Sequence, residues 1–401
     1  MSGEAKTERK TSAGFVPSAT PPLSGWVKEV CKRTIARWLH FSGLMRGIER
    51  LARTHELRTP PGFRLPRLRR SSSTKFGILC YHRVGTDGVP RFSRLDPGVF
   101  EAQMRYLRKH YRIVSLGQLC RELQEGESVE PTVSITFDDG YRDLYTHAFP
   151  VLQRYQIPAT IYLIGRCMET GEVPWYDRIF VGFEVAPGPV LELDIGGPQR
   201  FELSSPAART QAAWETVCKL RGIPDSLRRK WCATFERQIS LPEDALQGRM
   251  LDWKQVRTMH RGEVFFGAHT MTHPVVSQLP PYALAEELGR SKRCLEQGLD
   301  APVEDFAYPF GKEADIYSSV TQDFLVHAGY RSAVTTVEGC NTPGVNPYRL
   351  RRMQISDDSS LASFAFNLGR MFLETPSALT ASLRTMNETV DGQVDAADGV
   401  L

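Results

Sequence analysis

The stretch Val133-Ser134-Ile135-Thr136-Phe137-Asp138-Asp139-Gly140 reads as a β-strand running into a turn that carries two adjacent carboxylates. Working outward from it, short apolar runs alternate with helical patterns. Upstream lie FGILCYH at 76–82, an amphipathic stretch at 97–110 and YRIVSL at 111–116. Downstream come a helical pattern at 141–155, IPATIYLIG at 157–165, EVFFGAH at 263–269, a helix at 281–298, VEDFAYPFG at 303–311, a helix at 316–328 and YRSAVTT at 330–336. Such alternation indicates βα units around a parallel sheet. About seven units favour a closed or nearly closed barrel, an α/β fold of distorted (β/α)7 type. Chemistry in such barrels gathers at the C-terminal ends of the strands, where this chain concentrates its Asp and His.

The rest of the 401 residues frames that unit. With 41% apolar and 24% charged residues, the composition is that of a folded domain with a large core. No apolar run is long enough to span a bilayer, and the N-terminus lacks the apolar core of a secretory signal. A cytoplasmic location is therefore expected. The eight cysteines are scattered without a C-x-x-C pair, and are read as reduced and packed; Cys80, two residues before His82, is read the same way. Charge is uneven: residues 1–75 hold 16 Lys/Arg against 5 Asp/Glu, although the whole chain is only +4.

Residues 1–24 are too poor in apolar side chains to order themselves. Residues 25–75 read as a basic amphipathic helix, from Trp26 to about Arg53, followed by a Pro- and Arg-rich linker. That helix either lies on the inner face of a membrane or packs its apolar side on the barrel. The barrel itself is placed at 76–370, with an insertion at about 166–250 containing a turn-rich hairpin and helices near 207–221 and 225–238; residues 371–401 form a loose tail.

Two adjacent acids are costly unless a cation sits beside them. Matching ligands follow the strand EVFFG as His269-Thr270-Met271-Thr272-His273. Two His four apart can converge on one face of a helical turn, and a carboxylate added to them makes a three-ligand face with positions open for water and substrate. Alone, a D-D-G turn or an H-x-x-x-H spacing is more often structural. Their conjunction at the ends of strands in one βα series points to a divalent metal site.

The combination TFDDG and H-T-x-x-H resembles the polysaccharide deacetylases of carbohydrate esterase family 4. The resemblance covers about residues 76–356 and implies metal-dependent removal of acetyl groups from amino sugars in a polysaccharide, an oligosaccharide or a lipid-linked glycan, with no nucleic-acid partner. Carried over by position, it makes Asp138 the base that activates water, and Asp139, His269 and His273 the ligands of a metal that is usually Zn2+. Ala307-Tyr308-Pro309-Phe310-Gly311 stands in place of the family's Arg-x-Pro-aromatic-Gly motif. Tyr308, Pro309, Phe310 and Gly311 then supply a cleft wall and, from the Phe310 N–H, an oxyanion donor. The arginine that orients the base is missing there; Arg349, Arg351 and Arg352 are the candidate replacements. The family's Leu-x-His motif is also absent after residue 328, so the acid is assigned to His82, as in the permuted branch that includes exopolysaccharide poly-N-acetylglucosamine deacetylases. Trp175, at the mouth of the insertion, is a candidate for stacking on a sugar ring. The competing readings are a catalytically silent glycan-binding module on the same barrel, for which the missing arginine is the best support, and a non-haem iron oxygenase, against which the βα alternation and the second acid argue.

Overall fold

The computed structural model describes residues 75–86, 94–126, 130–242, 244–311, 319–357 and 359–373. The N-terminal tail, the amphipathic helix and linker at 25–75 and the C-terminal tail beyond residue 373 lie outside the described residues, apart from Lys75.

Strands β1 (Phe76–Tyr81) and β3 (Thr132–Phe137) are buried along their whole length. Parallel strands covered on both faces read as unbroken apolar runs rather than alternating ones. Five more strands extend the main run of an eight-stranded sheet: β4 (Ala159–Leu163), β7 (Val264–Ala268), β8 (Asp305–Ala307), β9 (Ser332–Val334) and β10 (Met353–Gln354). They run in the order β9-β8-β7-β4-β3-β1-β10, with every pairing parallel. The sheet curls back on itself. Leu350, just ahead of β10, bridges Val334 in β9 while Met353 and Gln354 pair with β1. Residues 350–354 thus join the two edges of the sheet, which makes the α/β architecture a distorted barrel.

YRIVSL does not form a full strand. Only β2 (Arg112–Ile113) pairs with the start of β3, because Ser115 caps helix α2 (Leu116–Glu125) by accepting from Gln118 N. The seventh barrel strand is instead β10, too short to stand out in the sequence. Helix α1 (Pro97–His110) starts as its residues dictate: Asp96 accepts from Gly98 N and Val99 N, Pro97 sits in the first turn, and Arg108, Lys109 and His110 close the last. The pattern at 141–155 divides into a π-helical turn, Leu144–Ala148, and α3 (Phe149–Tyr155).

Between β4 and β7 the chain makes α4 (Gly165–Thr170) and α5 (Trp175–Val185), a hairpin of β5 (Val190–Asp194) and β6 (Pro198–Glu202), and then α6 (Pro206–Arg221) and α7 (Asp225–Gln238). The hairpin and both later helices fall where the sequence places them. This insertion has its own apolar cluster, with Ile179, Phe183, Phe201, Ala213, Leu220 and Phe235 inside. Helices α8 (Trp253–His260), α9 (Pro281–Leu299), α10 (Ser319–His327) and α11 (Leu361–Leu373) follow. Among the described residues no helix is long and apolar enough to cross a membrane.

Candidate active site and metal centre

His82, Asp138 and His269 each stand immediately after the last residue of a strand, β1, β3 and β7. Tyr81 pairs with Phe137 in register, which sets His82 and Asp138 side by side at the same end of the barrel. The chain leaves β3 with Asp139 at φ 73° and Gly140 at φ 82°. Glycine is needed at 140, since a Cβ there would stand 2.5 Å from Leu163 Cδ2 as well as at positive φ. This left-handed exit overrides the strand's alternation and turns both carboxylates into the barrel mouth.

Asp139, His269 and His273 offer ligand atoms that all lie within 4.8 Å of one another. Each imidazole Nε2 is 3.6 Å from Asp139 Oδ1. His269 Nδ1 is 2.7 Å from the Ala307 carbonyl oxygen, which leaves Nε2 for the centre. Residues 269–273 are not a helical turn, contrary to the expectation from the four-residue spacing. Thr270 and His273 have φ of 63° and 57°, and the segment is a bent loop. Buried Glu287 on α9 holds it, accepting from Met271 N, Thr272 N and Thr272 Oγ1 at 2.6–2.8 Å. The Trp175 indole N–H donates to the His273 carbonyl.

The electrostatics suit a cation. Burial lowers the pKa of both His269 and His273, so they stay neutral. Burial also pushes Asp139 up to about 6; the neighbouring Asp138 charge adds to the rise, while His82 and the Tyr176 hydroxyl oppose it. A cation among these three groups would relieve that cost. The residues present therefore fit a divalent metal.

Asp138 is held differently. Arg352, fully buried, donates from Nη1 to Oδ1 and from Nη2 to Oδ2, both at 2.7 Å, while its Nε donates to the Thr335 carbonyl. Burial alone would raise the Asp138 pKa, but the guanidinium outweighs it and holds the carboxyl well below the usual carboxylate range. The three candidate arginines are thereby separated. Arg351 is exposed and donates to the Glu338 carbonyl, and the half-buried Arg349 lies toward Tyr308. Cys80 is more than packing: its Sγ lies 3.4 Å from Asp138 Oδ2, with the thiol pKa raised by burial. His82, half-buried, stands with Cys80 and Asp138 in a second cluster of converging groups.

The third motif divides in a way the sequence does not show. Tyr308 is 1% exposed and donates its hydroxyl to the Tyr348 carbonyl, so it belongs to the core, not to a cleft wall. Pro309 and Gly311 are also buried. Phe310, at φ 61°, sets its ring edge against His273 at 4.9 Å, and its N–H has no partner among the described residues. Trp175, with its N–H engaged and Arg228 stacked 4.4 Å from its ring centre, braces His273 and is not a free stacking face. Among the described histidines outside the site, His110 packs on Tyr106, while His260 and His327 lie against backbone carbonyls of their own segments.

The fold and site together define a barrel hydrolase class with an Asp–Asp and His–His centre. Residues 125–333 match the polysaccharide deacetylase family, and the chain belongs to it. The Bacillus subtilis protein YxkH is 23% identical over 292 residues, covering 72% of this chain and 75% of that protein. The poly-beta-1,6-N-acetyl-D-glucosamine N-deacetylase of Escherichia coli is 33% identical over 98 residues, 24% of this chain but 15% of that protein. Among solved structures, a Streptococcus pyogenes deacetylase in complex with acetate superposes with a TM-score of 0.51 at 20% identity, covering 75% of this chain and all of that one, a likeness of fold.

Proposed function

We propose that this deacetylase is a metal-dependent hydrolase that removes N-acetyl groups from an amino sugar within a polysaccharide, an oligosaccharide or a lipid-linked glycan. The observation that carries the proposal is the Arg352 clamp on Asp138, one residue from the Asp139–His269–His273 cluster. It supplies the contact that the third motif lacks, and so removes the main support for a catalytically silent module.

Asp139, His269 and His273 would hold the cation, zinc by the resemblance, which supplies polarisation of the acetamide carbonyl and a lowered pKa for water. Asp138, fixed by its bidentate partner, accepts the proton of the attacking water. The low pKa costs basicity but keeps the carboxylate ionised and oriented. His82, beside Asp138, delivers a proton to the leaving amine nitrogen as the carbon–nitrogen bond breaks. The Phe310 N–H is the candidate donor to the developing oxyanion. The excess of Lys/Arg in residues 1–75 supports a lipid-linked or membrane-surface substrate, and deletion of 1–60 followed by sedimentation with vesicles addresses that point.

The central test is release of acetate from N-acetylglucosamine oligomers and lipid-linked N-acetyl sugars by the zinc-loaded protein. Wild type should release acetate, a chelator should stop it, and Asp138→Asn should lower the rate at least a hundredfold while still binding one equivalent of zinc in equilibrium dialysis. Equal release by wild type and Asp138→Asn overturns the assignment of the base.

A further inference from the structure

We infer that the inserted segment carries a second glycan subsite, a groove between the β5–β6 hairpin and α7 that takes a sugar ring further along the same chain as the one being deacetylated. The inference rests on the deacetylase reading above and extends it to how a polymer is gripped.

The groove encloses about 490 Å³, within the range of small-ligand sites. Two rows of α7 residues at four-residue spacing line it. Leu227, Trp231 and Phe235 form an apolar row; Lys230, Thr234 and Gln238 form a polar row beside it. A pyranose ring has the same two-sided chemistry, an apolar face of C–H bonds bordered by hydroxyl and amide groups. The aromatic platform is rigid. Trp231 stacks on Phe235 with ring centres 5.1 Å apart and planes at 14°, and its indole N–H donates to the Asp194 carbonyl of the hairpin at 2.6 Å. Gln238 uses its amide N–H on the Glu192 carbonyl and keeps its Oε1 as an acceptor, while Thr234 donates its hydroxyl proton to the Lys230 carbonyl and accepts from Arg237 Nη2 at 3.3 Å. Leu227 remains 51% exposed at the groove's edge, a large apolar side chain that folding leaves in water.

Position supports the occupant. Ile223 lines this groove and also the narrow crevice that contains His273 and Phe310. The crevice is too narrow for a sugar, at about 10 Å³, but the shared Ile223 places the groove beside the His273 and Phe310 side of the centre, within reach of a polymer extending from it. An isolated monosaccharide needs no such extension, whereas a polymer substrate does.

The test compares acetate release from N-acetylglucosamine dimers and hexamers by the zinc-loaded full chain carrying Trp231→Ala or Thr234→Arg. The first removes the platform; the second fills the groove from an exposed helix position where folding is not at stake. Both should raise KM for the hexamer about tenfold, with kcat and all dimer kinetics unchanged. The same substitutions in an Asp138→Asn background, titrated calorimetrically with hexamer, read binding without turnover, and both should weaken it by a similar factor. Hexamer affinity equal to that of the parent in both variants overturns the subsite, as does an equal loss for dimer and hexamer. Absence of acetate from every oligomer with the calorimetric difference intact overturns the deacetylase reading alone.

Discussion

At the scale of single residues, Asp138 is the point where burial and charge compete. An ionised carboxylate with 2% exposure is sustainable only because Arg352 offers a matching two-pronged donor. Arg352→Met removes that partner and leaves an uncompensated buried charge, a loss of about 3–5 kcal/mol. The sign of the accompanying pH effect follows. With Arg352 the Asp138 pKa lies below its unfolded value, so its contribution to stability is present at neutral pH and is lost as pH falls through the folded value. Without Arg352, burial is opposed only by His269 and His82, so the pKa rises and the acid limb of the pH–rate profile should move upward. Arg352→Lys should recover the charge but not the fork, restoring the pH profile more than it restores kcat. Rate measurements across pH on both variants check this. Burial separates the neighbours, with Arg352 inside and Arg351 exposed, a distinction that the sequence RR does not carry.

At the scale of elements, the ligand loop at 269–273 shows how far spacing can mislead. The four-residue interval suggested a helical turn; the structure brings the two imidazoles together through a bent loop with two positive φ angles. Within the loop, Thr270 Oγ1 accepts from His273 N at 3.0 Å, which fixes only its C-terminal half. Glu287, eighteen residues past His269 on α9, enforces it by taking both Met271 and Thr272 amides on one carboxylate oxygen. Glu287→Ala should leave those amides unsatisfied, lower zinc affinity by roughly 10–100-fold and reduce Tm, while a variant at the exposed Glu286 on the same helix changes neither. Zinc titration with a competing chelator, together with thermal unfolding, gives both readouts. A charged residue inside a helix whose other buried positions are mostly apolar was the available signal, but its partner could not be deduced from it. Likewise β10, at two residues, is too short to carry any periodicity, and the apolar run at 111–116 mimics a strand although Ser115 caps a helix within it.

At the scale of the whole molecule, the buried acids around the site couple stability to pH. Asp177, at the start of α5, is fully buried with neither oxygen in a well-formed hydrogen bond. Burial pushes its carboxyl up to about 8, the Asp139 charge adding to the rise while Arg83 and Tyr141 oppose it. Because the folded pKa exceeds the unfolded value of about 3.9, its contribution is complete below that value and is lost as pH rises toward 8. Asp139 acts in the same direction up to about 6 when no cation is present. The metal-free protein should therefore lose several degrees of Tm between about pH 5 and pH 9. Asp177→Asn should flatten that fall, and zinc should flatten the part due to Asp139. Thermal scans of the two proteins with and without zinc separate these effects; an identical slope in Asp177→Asn would show that the fall arises elsewhere.

What the sequence determined by itself is the parallel α/β barrel, the hairpin and helices of the insertion, and the residue types of the centre at Asp138, Asp139, His269 and His273. These are legible because buried parallel strands, helix periodicity and closely spaced ligands are properties of neighbours along the chain. The tertiary structure alone decided which arginine reaches Asp138, that Cys80 donates to the same carboxylate, that Tyr308 turns into the core while Phe310 meets His273, and that residues 350–354 join the sheet's edges. Each depends on side chains tens to hundreds of residues apart meeting in a packed interior, where a position's role is set by its neighbours in space.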